Sequence, residues 1–354
     1  MYAELHCLSN FSFLRGASRA EELVERAAQL GYAALAITDE CSVAGVVRAH
    51  VAAREHNLKL IVGAEFRLDD GLRCVLLARD RTGYGRLCRL ITRGRRSAPK
   101  GDYKLTRADF EEILKLDQPQ NPLSTEKAGA AAEFLLTPSP QPLAPFLCLW
   151  LPFAQPDPDE ARWLASLFPG QAWIAVELLT TGRDRKRLAQ LQALGQEVGL
   201  PLVAAGDVHM HSRGRRALQD VLTATRLGTT VEQAGLALFP NGERHLRPIT
   251  RIAELHPPEL LAATLEIAAQ CTFSLDELRY EYPREIVPDG YTPAAWLRQL
   301  TEEGARQRWP QGMPRATQQA VEHELALIAD LGYEPYFLTV HDIVRFARSR
   351  QILC

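Results

Sequence analysis

Short apolar runs alternate with segments of helical periodicity from residue 3 to residue 223, and this alternation narrows the possible folds more than any other feature of the chain. Strand-like runs fall at 3–8, 33–38, 58–68, 74–78, 146–151, 173–178 and 202–205. Helix-like segments fall at 19–30, 43–56, 84–92, 159–167, 183–198 and 214–223. "RAEELVERAAQL" spaces its apolar residues three and four apart, and Gly31 stops it. "AALAIT" and "CVLLA" show no alternation of polar and apolar residues, as expected of strands buried on both faces. Parallel strands joined by helices are the simplest solution, as a closed barrel or as an open doubly wound sheet. No Gly-x-Gly-x-x-Gly follows the first strand, which counts against a dinucleotide fold.

The regularity breaks twice. Residues 119–145 hold six prolines and read as a surface insertion, spanning about 117–145. From residue 255 onward helices dominate, at 259–269, 293–306, 316–331 and 340–350, with a proline-bearing connection at 280–293. The expected division is a barrel-like domain over 1–275 and a helical segment over 276–354. A length of 354 residues, with 46% hydrophobic and 24% charged residues, suits an ordered globular chain. The net charge of −2 gives no global basic field, so any contact with nucleic acid must rest on local patches. Seven cysteines with no Cys-x-x-Cys pair argue against a zinc ribbon or a disulfide scaffold and suit a reducing cytoplasm. The first residues lack the pattern of a signal peptide, and no apolar run is long enough to span a membrane.

Polar residues cluster where strands end. Asp39 and Glu40 follow "AALAIT", Glu65 sits late in "LKLIVGAEFRL", Asp207 and His209 follow "LVAA", and His6 lies in the first run. In α/β barrels the groups that bind and react sit at the carboxyl ends of the strands. Residues two apart on a strand share a face, so Asp207 and His209 can converge. Such a mixed His/carboxylate set suits Zn, Mn or Fe, and more carboxylate shifts the balance toward Mn or Mg. Each residue also has a plainer explanation. Asp39 can cap the next helix, Glu65 can pair with Arg67 or Arg73, His6 can be a bonded core histidine, and Asp207 can cap a turn.

"ELHCLSNFSFLRGAS", "ALAITDECSVAGVV", "KLIVGAEFRL", "VLLARDRTGYGRLCRLITRG" and "LPLVAAGDVHMHSRGRRALQDVL" occur in this order. Together they resemble the PHP (polymerase and histidinol phosphatase) domain of bacterial C-family DNA polymerases, most of all the error-prone, damage-tolerant branch. "LIADLGYEPYFLTVHDIVRFARSRQILC" resembles the family's lead into the polymerase palm. The resemblance implies an α/β fold, a distorted (β/α)7 barrel of PHP type followed by a mainly helical segment. It also implies a rim that, in metal-binding members, carries His-x-His, Asp-His, Glu, His, Cys and a final Asp-x-His. On this chain His6, Asp39, Glu65, Asp207 and His209 match, and Cys148 in "FLCLWLP" stands for the Cys. Leu8, Glu40 and Arg73 replace three expected ligands. Leucine cannot ligate, and a guanidinium keeps its proton and opposes a metal ion. The expectation is a vestigial site in which Arg73 supplies positive charge to Asp39, Glu65 and Asp207, in place of a Zn²⁺ or Mn²⁺.

For the intact family protein the resemblance implies DNA-directed DNA synthesis across damaged template. Mg²⁺ would be the cofactor and primer–template DNA and dNTPs the substrates. The sliding clamp and other damage-tolerance proteins would be partners. The palm carboxylates that would hold Mg²⁺ do not occur in this chain. A metal-dependent phosphoesterase or 3′–5′ exonuclease is the alternative, disfavoured by Leu8, Glu40 and Arg73.

Overall fold

A computed structural model describes residues 1–115, 145–278 and 286–353. The expected proline-rich insertion lies outside the described residues except for Pro145. The chain forms two compact units, Met1–Leu278 and Arg279–Cys354.

The first unit is a nearly closed barrel of seven strands in sequence order. These are β1 (Ala3–Glu4), β2 (Ala34–Ile37), β3 (Lys59–Arg67), β4 (Arg73–Ala78), β5 (Phe146–Trp150), β6 (Ala172–Glu177) and β7 (Leu202–Ala205). The helices of this unit are α1 (Ala20–Gln29), α2 (Val46–Glu55), α3 (Arg81–Arg96), α4 (Arg107–Lys115), α5 (Pro158–Leu167), α6 (Asp184–Val198), α7 (Arg216–Arg226), α8 (Val231–Ala234), α9 (Ile249–Leu255) and α10 (Pro258–Gln270). Strand pairing is parallel except at β4, which runs antiparallel to both β3 and β5. The all-parallel expectation fails there for a simple reason. Only residues 68–72 join β3 to β4, whereas a parallel crossover needs a dozen or more.

Two apolar layers follow from the two faces of each strand. On β5, Leu147 and Leu149 point into the barrel, while Phe146, Cys148 and Trp150 face the helices. The inner layer also takes Ala3, Leu5, Val75, Leu77, Val203 and Ala205. Ile267, Ala268 and Cys271, at the end of α10, complete it. α1 buries Ala20, Leu23, Val24 and Ala27, the stripe expected of its spacing, and the Glu22 carboxylate accepts the Arg19 N–H at its start.

β1 and β7 do not form a regular ladder, and the seam between them is closed by other means. Cys7 and Val208 make an isolated parallel bridge, with Leu8 N–H donating to the Val208 carbonyl at 2.8 Å and Val208 N–H to the His6 carbonyl at 3.0 Å. Below that bridge the buried Glu4 carboxylate stands in for a backbone acceptor. It accepts N–H groups from Leu5 (3.1 Å), His6 (3.0 Å) and, across the seam, Gly206 (2.9 Å). The Tyr2 hydroxyl donates to its other oxygen at 2.9 Å.

The second unit comprises α11 (Pro293–Arg308), α12 (Arg315–Leu331) and α13 (Glu334–Ser349), packed around Leu297, Ile328 and Leu338. Among the described residues, no helix is long and apolar enough to cross a membrane.

A Cβ on Gly206 would lie 2.3 Å from Glu4 Oε2 and 2.9 Å from Val208 Cγ2. Four hydrogen bonds hold that carboxylate, so it cannot swing away. Gly206→Ala is expected to destabilise the first unit by about 1–3 kcal/mol in equilibrium urea unfolding. An unchanged midpoint would show that the seam does not need this contact.

Candidate functional site at the barrel mouth

The carboxyl ends of the parallel strands, and the start of antiparallel β4, bring charged side chains to one rim. His6 follows β1, Asp39 and Glu40 follow β2, Glu65 lies late in β3, and Arg73 begins β4. Glu177 ends β6, and Asp207 and His209 follow β7. Asp207 adopts φ 45°, a left-handed backbone uncommon for a residue other than glycine.

His6 is the centre of the cluster and is fully buried. Its Nε2 lies 3.0 Å from Glu65 and its Nδ1 2.9 Å from Glu177, with Asp207 at 3.9 Å. Burial pulls the imidazole toward neutrality, but the bonds to Glu177 and Glu65 outweigh it and raise the pKa to about 9. His6 is therefore an imidazolium at neutral pH, donating from both nitrogens.

Three guanidiniums reach the same carboxylates. Arg15 donates to both oxygens of Glu65, at 3.1 and 3.2 Å, and to Glu40 at 2.5 Å. Arg73 donates to Glu65 at 3.3 Å. Arg244 forms an ion pair with Asp207. Burial opposes ionisation of Glu65, yet Arg15, His6 and Arg73 hold it well below the usual carboxylate range. Glu177 is likewise lowered against its burial, by His6, Arg73 and Arg244. Burial brings Arg244 down to about 10, which leaves it charged at neutral pH.

The remaining sequence-derived candidates are placed as follows. Asp39 is bonded by Ser9 N–H (2.8 Å), Ser9 Oγ (2.7 Å) and Ser12 Oγ (2.7 Å), so it ties the loop after β1 to the end of β2. Burial raises its pKa against those bonds. His209 lies 3.0 Å from Asp207 through Nε2 and 3.0 Å from the Arg15 carbonyl through Nδ1. Cys148 faces the outer apolar layer and does not reach the cluster. Leu8 is buried, and the Glu40 carboxylate accepts from Arg15 and from Tyr103 Oη.

Residue patterns did not identify Glu177, Arg15 or Arg244. Glu177 carried the same signal as Asp39, a carboxylate ending an apolar strand. The two arginines lie in loops, where nothing in the pattern marks them.

His6, Glu177 and Asp207 each offer a ligand atom within 4.8 Å of the others, a set of the kind that could hold a metal ion. The surrounding charges fit such an ion poorly. Glu40, Glu65, Glu177 and Asp207 are already matched by Arg15, Arg73, Arg244 and protonated His6. His6 could ligate only by losing a proton and one of its carboxylate bonds. Burial and Arg15 push His209 down to about 3, so its neutral ring has a single N–H to share between the Arg15 carbonyl and Asp207. Arg244 supplies positive charge to that same carboxylate.

The raised pKa of His6 has a consequence for stability. A folded-state value of about 9 against an ordinary 6.5 means that stabilisation is complete below pH 6.5 and lost as pH rises toward 9. The parent chain is expected to lose on the order of 3 kcal/mol across that window. His6→Gln is expected to flatten the loss, as read from thermal midpoints between pH 6 and 9.5. Parallel curves for the two proteins would refute the assignment.

A family description, PHP domain, matches residues 4–138, and another, bacterial DNA polymerase III alpha NTPase domain, matches residues 295–354. The chain is 56% identical to an error-prone DNA polymerase of Methylococcus capsulatus, covering 100% of this chain and 31% of that protein. It is 57% identical to the error-prone DNA polymerase of Dechloromonas aromatica (100% and 32%) and 54% identical to that of Pseudomonas aeruginosa (100% and 31%). It thus spans about a third of the length of these relatives. A solved structure from Bifidobacterium adolescentis, described as a metal-dependent phosphoesterase, aligns over 58% of this chain and 87% of its own. Its identity is 17% and its TM-score 0.37, too low to bear on function. The PHP and polymerase III alpha matches thus follow one another along the chain, and over its full length the chain is similar to the first third of bacterial error-prone DNA polymerases.

Proposed function

We propose that this chain supplies the barrel and the helical lead-in of a DNA-directed DNA polymerase that copies damaged template, and that the barrel serves as a scaffold. Homology over the whole chain supports the polymerase assignment. The scaffold role rests on one observation, that arginines pair with the carboxylates at the barrel mouth. Arg15 and Arg73 engage Glu65, and Arg244 engages Asp207. Buried like charges would otherwise repel one another and carry a heavy desolvation cost. The division into a barrel domain over 1–275 and a helical lead-in over 276–354 belongs to this reading. So does the assignment of His6, Asp39, Glu65, Asp207 and His209 to a vestigial site.

In the longer polypeptide, Mg²⁺ at palm carboxylates would serve nucleotide transfer, with primer–template DNA and dNTPs as substrates. The sliding clamp and other damage-tolerance proteins would be its partners, in the cytoplasm. A polypeptide of the relatives' length that begins with this chain is expected to extend a primer past a template lesion. Failure to incorporate any nucleotide would refute the polymerase assignment.

The scaffold reading has its own test. The thermal midpoint of this chain is expected to be the same with chelator, with Zn²⁺ and with Mn²⁺. Arg15→Met is expected to cost about 3–5 kcal/mol, because it leaves Glu65 buried beside Glu40 without its main partner. A metal-dependent rise in the parent midpoint would sink the reading, as would an Arg15→Met variant of unchanged stability.

A further inference from the structure

The sequence contains "RGRR" twice, and the fold treats the two copies differently. At 213–216 the guanidiniums are paired off. Arg213 lies 3.9 Å from Glu243, Arg215 meets Glu22, and Arg216 bonds Asp220 at 2.7 Å. At 93–96 only Arg93 is paired, with Asp109 at 3.2 Å and Glu112 at 2.6 Å. Arg95 spends its donors on the carbonyls of Glu40 (3.1 Å), Cys41 (3.2 Å) and Gly101 (3.3 Å). Among the described residues, no carboxylate pairs with Arg89, Arg95, Arg96 or Lys100, and all four are exposed.

The packing of α3 fixes which way these cations point. Its buried side carries Gly83, Leu87, Leu90 and Gly94. A Cβ on Gly94 would lie 2.9 Å from Leu105 Cγ, so this face is pressed against its neighbour. Arg89, Arg93 and Arg96 recur at four and three residues and form a single stripe beside the buried side, next to α4, whose Asp109 and Glu112 hold Arg93. From Arg89 to Arg96 the stripe runs about 10 Å along the helix. It borders a groove of about 620 Å³, lined also by Cys88, Thr92, Ile113 and Glu112, whose carboxylate is taken up by Arg93.

Arg89 and Arg96, exposed and without a carboxylate partner among the described residues, mark a local attraction for a polyanion on a chain with a net charge of −2. Among the described residues the groove has no aromatic lining on which bases could stack, so the complementary partner is a phosphate backbone. We infer that the outer face of α3 binds the backbone of duplex DNA without regard to sequence, apart from the cluster around His6. The choice of DNA among polyanions rests on the polymerase reading above; the charge pattern does not.

Fluorescence anisotropy of a labelled duplex, titrated with this chain over a salt series, tests the inference. Arg89→Glu/Arg96→Glu is expected to weaken binding by about tenfold or more at low salt. It should also reduce the slope of log Kd against log salt by about 2. Its thermal midpoint should match that of the parent. The charge-matched Arg162→Glu/Arg251→Glu, on other exposed helices, is expected to keep most of the affinity. An equal loss in both variants, no binding by the parent, or tighter binding of an acidic peptide of equal charge would overturn the inference. Primer extension by the longer polypeptide separates the two readings. Synthesis by the parent with no effect of the Arg89/Arg96 pair on duplex affinity sinks this inference alone.

Discussion

A seven-stranded barrel closes only if its first and last strands meet, and here the carboxylate of Glu4 extends the meeting that the Cys7–Val208 bridge begins. β1 and β7 are too short to ladder along their length. The carboxylate fills the gap by accepting N–H groups from both sides of the seam. This works because a carboxylate offers more acceptor sites than a backbone carbonyl. Burial pushes the Glu4 carboxyl upward, and the His6 and Gly206 N–H groups oppose that push. The Thr264 hydroxyl accepts the Ala3 N–H at 3.2 Å, which ties the same strand to α10. Everything at the mouth depends on this seam, since His6, Asp207 and His209 lie within a few residues of it.

The mouth shows how a pocket can keep its acidic residues when cations of its own satisfy them. Arg15 takes both oxygens of Glu65 in a two-pronged contact, the arrangement in which a guanidinium binds a carboxylate most strongly. Arg73 and Arg244 lie over the rings of Phe153 and Phe239, at 5.8 Å and 4.1 Å. Those rings shield the guanidiniums from water and strengthen their attraction for the carboxylates beneath.

Much of the barrel was legible because apolar strands and amphipathic helices have different periods. The antiparallel course of β4 was not, since direction depends on the length of a connection and not on side-chain pattern. α4 was also missed, lying where the pattern loosens ahead of the proline-rich stretch. At the site, His6, Glu65, Asp207 and His209 stood out because polar groups at the ends of buried strands are conspicuous. Asp39 stood out for the same reason, yet it is held by Ser9 and Ser12, partners that only the folded loop brings near. Arg15 and Arg244 come from loops, where a cation is unremarkable until its neighbours are known.

The seam also sets the order of events during synthesis. Ala3 and Thr264 are bonded across 261 residues of chain, and Glu4 and Gly206 across 202. At about 5–20 residues per second, a ribosome needs roughly ten seconds to a minute to make that intervening length. The first strand can pair with β2 early in that interval, but its partners across the seam come last. Leu5, which packs in the inner layer with Val203 and Ala205, waits equally long for those neighbours.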